Sequence, residues 1–181
     1  MIRPICFLAG SLMYLLAQAG CSTAPTSAEG RSEIQSESAS VLAKGESNDP
    51  TLAKVLHDAR GYAVFPSIGK GAIGIGGAYG RGVLYENGAA IGYCDMKQAS
   101  IGLQLGGQKY AEIIAFTTKE ALENFKSGNF AFDAQATAVA LKSGAGANAK
   151  YSSGVAVFTM DEAGLMYEAS VGGQKFSYQA K

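Results

Sequence analysis

The chain has 181 residues, with 15 basic side chains balanced by 15 acidic ones, and a single histidine. That balance leaves no electrostatic footprint for nucleic acid, and the length suits one domain with an appendage. Glycine is abundant (24) and proline scarce (4), which excludes a Pro/Gly linker or a collagen repeat and places the glycines within folded structure.

The first segment, MIRPICFLAGSLMYLLAQAGC, carries Arg3, an apolar run from about Ile5 to Ala17, then small residues and Cys21. It reads as a signal peptide over residues 1–20, too short and one-sided for a membrane span. Its end fits two processing schemes. Gln18-Ala19-Gly20-Cys21 resembles a lipobox, in which Cys21 becomes the lipidated N-terminus, although Gln18 stands where Leu is usual. Ala17-Gln18-Ala19 fits the A-x-A site of ordinary secretion. The polar run STAPTSAEGRSE after Cys21 favours the first scheme, as a lipidated tether over 21–33. Acyl chains contribute about 0.8 kcal/mol per buried methylene, so several form a firm anchor. With Cys6 in the leader and Cys21 acylated, Cys94 is left without a disulfide partner.

The domain expected over 34–181 opens with a weak helical pattern (Ile34, Val41, Leu42). Asp49 then caps a helix with Pro50 in its first turn, Leu52, Val55, Leu56 and Ala59 on one face, and Gly61 as its stop. From Tyr62 the period becomes two. Tyr62 to Phe65 reads as a short strand ended by Pro66, followed by GKGAIGIGGAYGRG (69–82). From Ala72 to Gly82 every even position is small, while the odd ones include Ile73, Ile75, Tyr79, Arg81 and then Val83, a strand pattern. Asn87-Gly88 is a strong hairpin signal. A simple two-residue turn there sets Gly82 opposite Tyr93, Val83 opposite Gly92 and Leu84 opposite Ile91.

SIGLQLG (100–106) and AEIIAFT (111–117) continue the strands, and Thr117 to Glu120 resembles a capping box for a short helix ending at Gly128. FAFDAQATAVALK and AGANAKY alternate weakly, and SGVAVFTMDEAGLMYEASVGG predicts a last hairpin turning at 161–164. LGGQKY (105–110) recurs as VGGQKF (171–176), read as a shared strand–turn–strand solution rather than a duplication because the flanks do not align. The class is α+β: an antiparallel glycine-rich sheet, barrel-like or sandwiched, with N-terminal helices and one short inserted helix.

Chemistry-bearing motifs are few. Gly69, Gly71 and Gly74 spell G-x-G-x-x-G, but no helix can open on the third glycine, so no dinucleotide is expected. No Walker lysine, G-x-S-x-G or metal-ligand spacing occurs. His57 sits off the apolar face of its helix, and Asp95, Asp133, Asp161 and Glu162 are placed at strand ends or turns. Neither catalytic residues, metal nor cofactor are predicted.

Three stretches, ARGYAVFPSIGKGAIGIGGAYGRGVLYENG, IGLQLGGQKYAEIIAF and GAGA…GVAVF…AGLMYEASVGGQKF, together resemble the SYLF domain over roughly residues 50–179. The resemblance implies a non-enzymatic domain that binds phospholipid; eukaryotic members also bind actin filaments. Here it implies an envelope lipoprotein on the periplasmic face of the outer membrane, Ser22 resembling the sorting signal, or a soluble periplasmic protein. Its partners would be membrane phospholipids, with no nucleotide or nucleic acid. The alternative is a protein-interaction or structural module of the envelope. Basic eukaryotic N-terminal segments have no counterpart in the 51–60 helix, where Lys54 and Arg60 face Asp58. The headgroup candidates are Lys70, Arg81 and Lys109, beside glycine-rich turns. Cys21→Ser is expected to move the protein from the membrane fraction to the soluble one; retention of the variant at high salt would refute the anchor.

Overall fold

The computed structural model describes residues 25, 27–73, 75–101, 108–128, 131–132, 138–140, 146, 152–161 and 173–181. The leader, Cys21, most of SIGLQLG, Asp133, Glu162 and the turn at 162–164 lie outside them. The elements in chain order are α1 (Ala28–Asn48), α2 (Pro50–Asp58), β1 (Gly61–Ile73), β2 (Ile75–Glu86), β3 (Ala89–Ile101), β4 (Gln108–Phe116), α3 (Lys119–Lys126), β5 (Ala131–Phe132), β6 (Ala138–Ala140), β7 (Val155–Asp161) and β8 (Gln174–Ala180). The class is α+β as expected, with one sheet in the order β5-β8-β3-β2-β1-β4-β7-β6. All its pairings are antiparallel except β6 with β7.

Helix α1 starts at Ala28, capped by the Ser27 hydroxyl, so residues 28–33 are helical rather than tether. Asp49 caps α2 as the sequence predicts, accepting from the Thr51 N–H at 3.0 Å. It also accepts from the backbone N–H of Gly146, which ties a segment 97 residues away to the α1–α2 junction. The side chain is fully buried, so each of those bonds forms in a low dielectric. For α3 the cap is Thr118, one residue later than the capping-box reading, and Gly128 follows the helix at φ 72°.

Two expectations about the glycine stretch change. GKGAIGIGGAYGRG is not one strand: β1 runs to Ile73 and β2 begins at Ile75, with Ile73 opposite Ile75. Nor does Pro66 end a strand, because β1 passes through it by a bulge between Val64 and Ser67. A bulge removes the need for the N–H that proline lacks. Gly69 and Gly71 therefore lie in an extended strand, which excludes a phosphate loop opening a helix there.

The Asn87-Gly88 turn forms, with φ 51° and 76°, and Tyr85 pairs with Ala90 as a two-residue turn requires. A second bulge then shifts the register by one, so Gly82 faces Cys94, Val83 faces Tyr93 and Leu84 faces Gly92. Each predicted partner is displaced by one residue. The large residue beside each glycine comes instead from another strand. A Cβ on Gly82 would stand 2.6 Å from the Val64 carbonyl and 2.8 Å from the Phe65 ring. One on Gly80 would stand 2.6 Å from Ile68, and one on Gly92 would enter the Tyr178 ring.

These glycines let the sheet curl. In a flat sheet β4 and β8, with three strands between them, would stand about 19 Å apart. Here Gln174 of β8 hydrogen-bonds Glu112 of β4 at 3.0 Å. The concave side holds Phe65, Ile68, Met96, Ile114, Phe116 and Phe176, closed by Leu122 and Phe125 of α3. Phe125 meets Phe116 at 4.9 Å and Phe176 at 5.3 Å between tilted ring centroids, a favourable aromatic geometry. The convex side packs Val64, Val83, Tyr93, Ile113 and Phe158 under Ile34, Leu52 and Leu56 of the N-terminal helices.

Gly82→Ala is expected to lower stability by about 1–3 kcal/mol through overpacking. Gly69→Ala, with nothing within 4 Å of a new Cβ, should stay within about 0.5 kcal/mol; denaturant midpoints measure both. Asp49→Ala should lose about 2–3 kcal/mol, from the cap and the orphaned Gly146 N–H, read by the same melts.

Candidate functional site: a cationic row on the convex face

Helices α1 and α2 cover only one end of the convex face. At the other end, strict alternation along the strands brings a set of long polar side chains to the surface. Lys175 pairs with Lys97, Lys97 with Tyr79, Tyr79 with Gly69, and Gly69 with Lys109. This is one register row over five adjacent strands, following the outward curve of the sheet. All five residues are exposed. The next row toward the helices is Ser177, Asp95, Arg81 and Ser67, of which only Asp95 is buried.

Asp95 anchors the centre of this face. Its carboxylate accepts from the Tyr79 hydroxyl at 3.2 Å and from the Ser177 hydroxyl at 3.3 Å. Among the described residues, Arg81, Lys97, Lys109 and Lys175 have no carboxylate within salt-bridge distance. Their charges therefore face solvent together. Tyr79 stands among them at 38 % exposure, the exposed large hydrophobic side chain of the described residues. Gly69 leaves open space beside it. Next to Lys109, the bulge in β1 forms a small cleft of about 160 Å³ with an apolar floor of Val41, Pro66, Ala111 and Met160 and Lys44 on its rim.

Two of the three sequence candidates, Arg81 and Lys109, thus share one exposed face. Lys70 lies in β1 opposite Ala78 and Gln108. Sequence reasoning missed Lys97, Lys175 and Tyr79. A partial signal existed: the repeated GGQK places Lys109 and Lys175 at equivalent strand entries, and they form the two ends of the row.

Other candidates fall away or move. Asp95 lies inside β3, not at a strand end, and is buried. His57 is an exposed helix residue 3.2 Å from Asp58. The Cys94 thiol is fully buried, and desolvation with Asp95 beside it pushes it well above the ordinary thiol range, so it is a poor nucleophile. Among the described residues no three His, Cys, Asp or Glu side chains converge as metal ligands.

The described residues thus form a curled antiparallel sheet with an exposed cationic row on its outer face. Residues 97–181 match the family model described as Ysc84, the Las17-binding protein actin regulator. The chain is also similar to Beta cell expansion factor A of Aeromonas veronii, 31% identical over 131 residues. That alignment covers 71% of this chain and 50% of the relative, so the chain spans about half the relative's length. Over residues 97–181 the chain is thus similar to the Ysc84 kind of SYLF domain. That similarity is to a family of lipid- or protein-binding domains.

Proposed function

We propose that this protein is a non-enzymatic, lipid-anchored envelope protein whose SYLF domain binds anionic phospholipid surfaces through its convex cationic row. The observation that carries this reading is the register line Lys175–Lys97–Tyr79–Gly69–Lys109, flanked by Arg81, on a chain of zero net charge. Segregating four cations on one face of a neutral protein favours an extended anionic partner. A basic side chain near an anionic leaflet contributes about 1 kcal/mol. Tyrosine is at home at headgroup depth, with its ring toward the acyl boundary and its hydroxyl toward water.

Lipid anchoring at Cys21 is part of the same proposal. The tether from Cys21 to Ser27 reaches at most about 20–25 Å when extended. A domain on so short a leash meets the bilayer at high effective concentration, so the face needs only weak intrinsic affinity. The placement proposed is the periplasmic face of the outer membrane. The family description, a regulator that binds a protein, favours a second reading in which the same face contacts an envelope protein.

The test is co-sedimentation of the unlipidated Cys21→Ser chain with anionic vesicles at low and high salt. Lys97→Gln/Lys109→Gln/Lys175→Gln is expected to weaken binding by about 3 kcal/mol, on the order of 100-fold, with added salt erasing the difference. Absence of binding at low salt, or unchanged binding by the triple variant, would overturn the reading in favour of a protein partner.

A further inference from the structure

The concave interior holds a second polar feature, unrelated to the convex face. Glu112 lies on β4 between the inward-facing Tyr110 and Ile114, with Phe65 of β1 and Thr159 of β7 as its register partners. It is 1% exposed, and Gln174 of β8 is equally buried. The Gln174 amide Nε2 donates to Glu112 Oε2 at 3.0 Å. Glu112 Oε1 and Gln174 Oε1 are both buried, and neither meets a donor. An ionised carboxylate in this place would leave two acceptors unmatched in a dry interior, an expensive arrangement.

One proton resolves both. A carboxylic acid and a primary amide can close an eight-membered ring: the amide N–H donates to the carboxyl carbonyl oxygen, and the acid O–H donates to the amide oxygen. The observed N–H bond is half of that ring, and the two unmatched oxygens are the other half.

We propose that Glu112 is held as a neutral carboxylic acid in a cyclic pair with Gln174, and that this pair is a proton-dependent clasp joining β4 to β8 across the concave side. The clasp adds a polar link between strands that share no backbone ladder, beside the packing of Phe176 of β8 on Phe65 and Phe125. No charged side chain among the described residues offsets the charge of an ionised Glu112. The groups facing it are Phe65 from β1, Thr159 from β7, Gln174 from β8 and, on its own strand, the phenol of Tyr110, which also lies against the Gln174 amide. Burial raises that phenol well above its ordinary range, so Tyr110 stays neutral. Consistent with the geometry, desolvation raises the Glu112 carboxyl from 4.5 to about 7, with Gln174 opposing.

The folded state thus holds a proton that the unfolded chain releases. Stability is complete below about pH 4.5 and falls as pH rises toward 7, where the folded-state acid ionises. Between those values the folding constant drops by up to tenfold per pH unit, then levels off.

The experiment is denaturant unfolding of the full chain from pH 5 to 8.5, beside infrared difference spectra over the same range. The wild type should show the falling stability, and a protonated-carboxyl carbonyl band that disappears with a midpoint near 7. Glu112→Gln, which can form an amide–amide ring at every pH, should lack the band, lose the slope and exceed the wild type in stability at pH 8. Persistence of the same slope and band in Glu112→Gln would overturn the clasp. If that variant fails to fold, the wild-type spectra decide alone: a buried carboxyl titrating near 7 sustains the clasp, and its absence refutes it.

Discussion

The missing Cβ atoms of Gly80, Gly82 and Gly92 are what the rest of this domain depends on. Each lies where a methyl group would collide with Ile68, with Phe65 and the Val64 carbonyl, or with Tyr178. Removing that bulk from the inner surface of β2 and β3 lets large side chains from β1 and β8 lean over them. The sheet then folds inward far enough for Phe65 and Phe176 to approach at 5.7 Å between ring centroids, although β3 and β2 separate their strands. An alanine-lined surface would hold those rings apart and leave a flatter sheet. Glycine in a strand interior costs conformational entropy. Here that cost is offset by aromatic burial that a flat sheet could not provide.

Curling also divides the two faces by chemistry. The inner face is almost entirely apolar, so an inward-pointing polar group must find its partner across the curl, as Glu112 and Gln174 do. The outer face is splayed, and α1 and α2 cover only part of it. On β8 the division falls between adjacent residues: Gln174 points into the core and Lys175 away from it. One strand therefore contributes both to the interior pairing and to the outer cationic row, simply through its period of two.

The sequence makes the local signals legible and leaves the register hidden. Asp49-Pro50, Asn87-Gly88 and the capping box at Thr117 to Glu120 are short-range devices, each set by its own backbone chemistry; the first two form as expected, and the third caps its helix one residue later, at Thr118. Within β2 the small residues at 78, 80 and 82 do share one side of the strand, the inward one. The turn within GKGAIGIG was not legible, because alternation of small and bulky residues continues through it. The bulge in β1 was not legible either: Pro66 looks like a terminator until a partner strand shows that one residue is simply looped out. Glu112 went unnoticed for a related reason. Its neighbours Ala111 and Ile113 are as apolar as Ile114, so nothing local reveals that the glutamate faces inward.

The cationic row itself follows from a single extra residue. Without the bulge beside Ile91, the Asn87-Gly88 turn would pair Tyr79 with Met96 rather than Lys97. A shift of one residue turns every subsequent side chain of a strand to the other face. Lys97 and Asp95 would then point into the aromatic core, and Met96 and Cys94 outward. Neither consequence is tolerable: the aromatic core would bury two ionisable side chains, and the outer face would lose its central cation. The inserted residue therefore does two things at once. It sends Cys94 and Met96 into the interior, and it aligns Lys97 with Lys175 on one side and Tyr79 on the other. The outer binding face and the inner packing are consequences of the same register. No motif in the linear sequence spells out the row because its members are adjacent only after five strands have been paired.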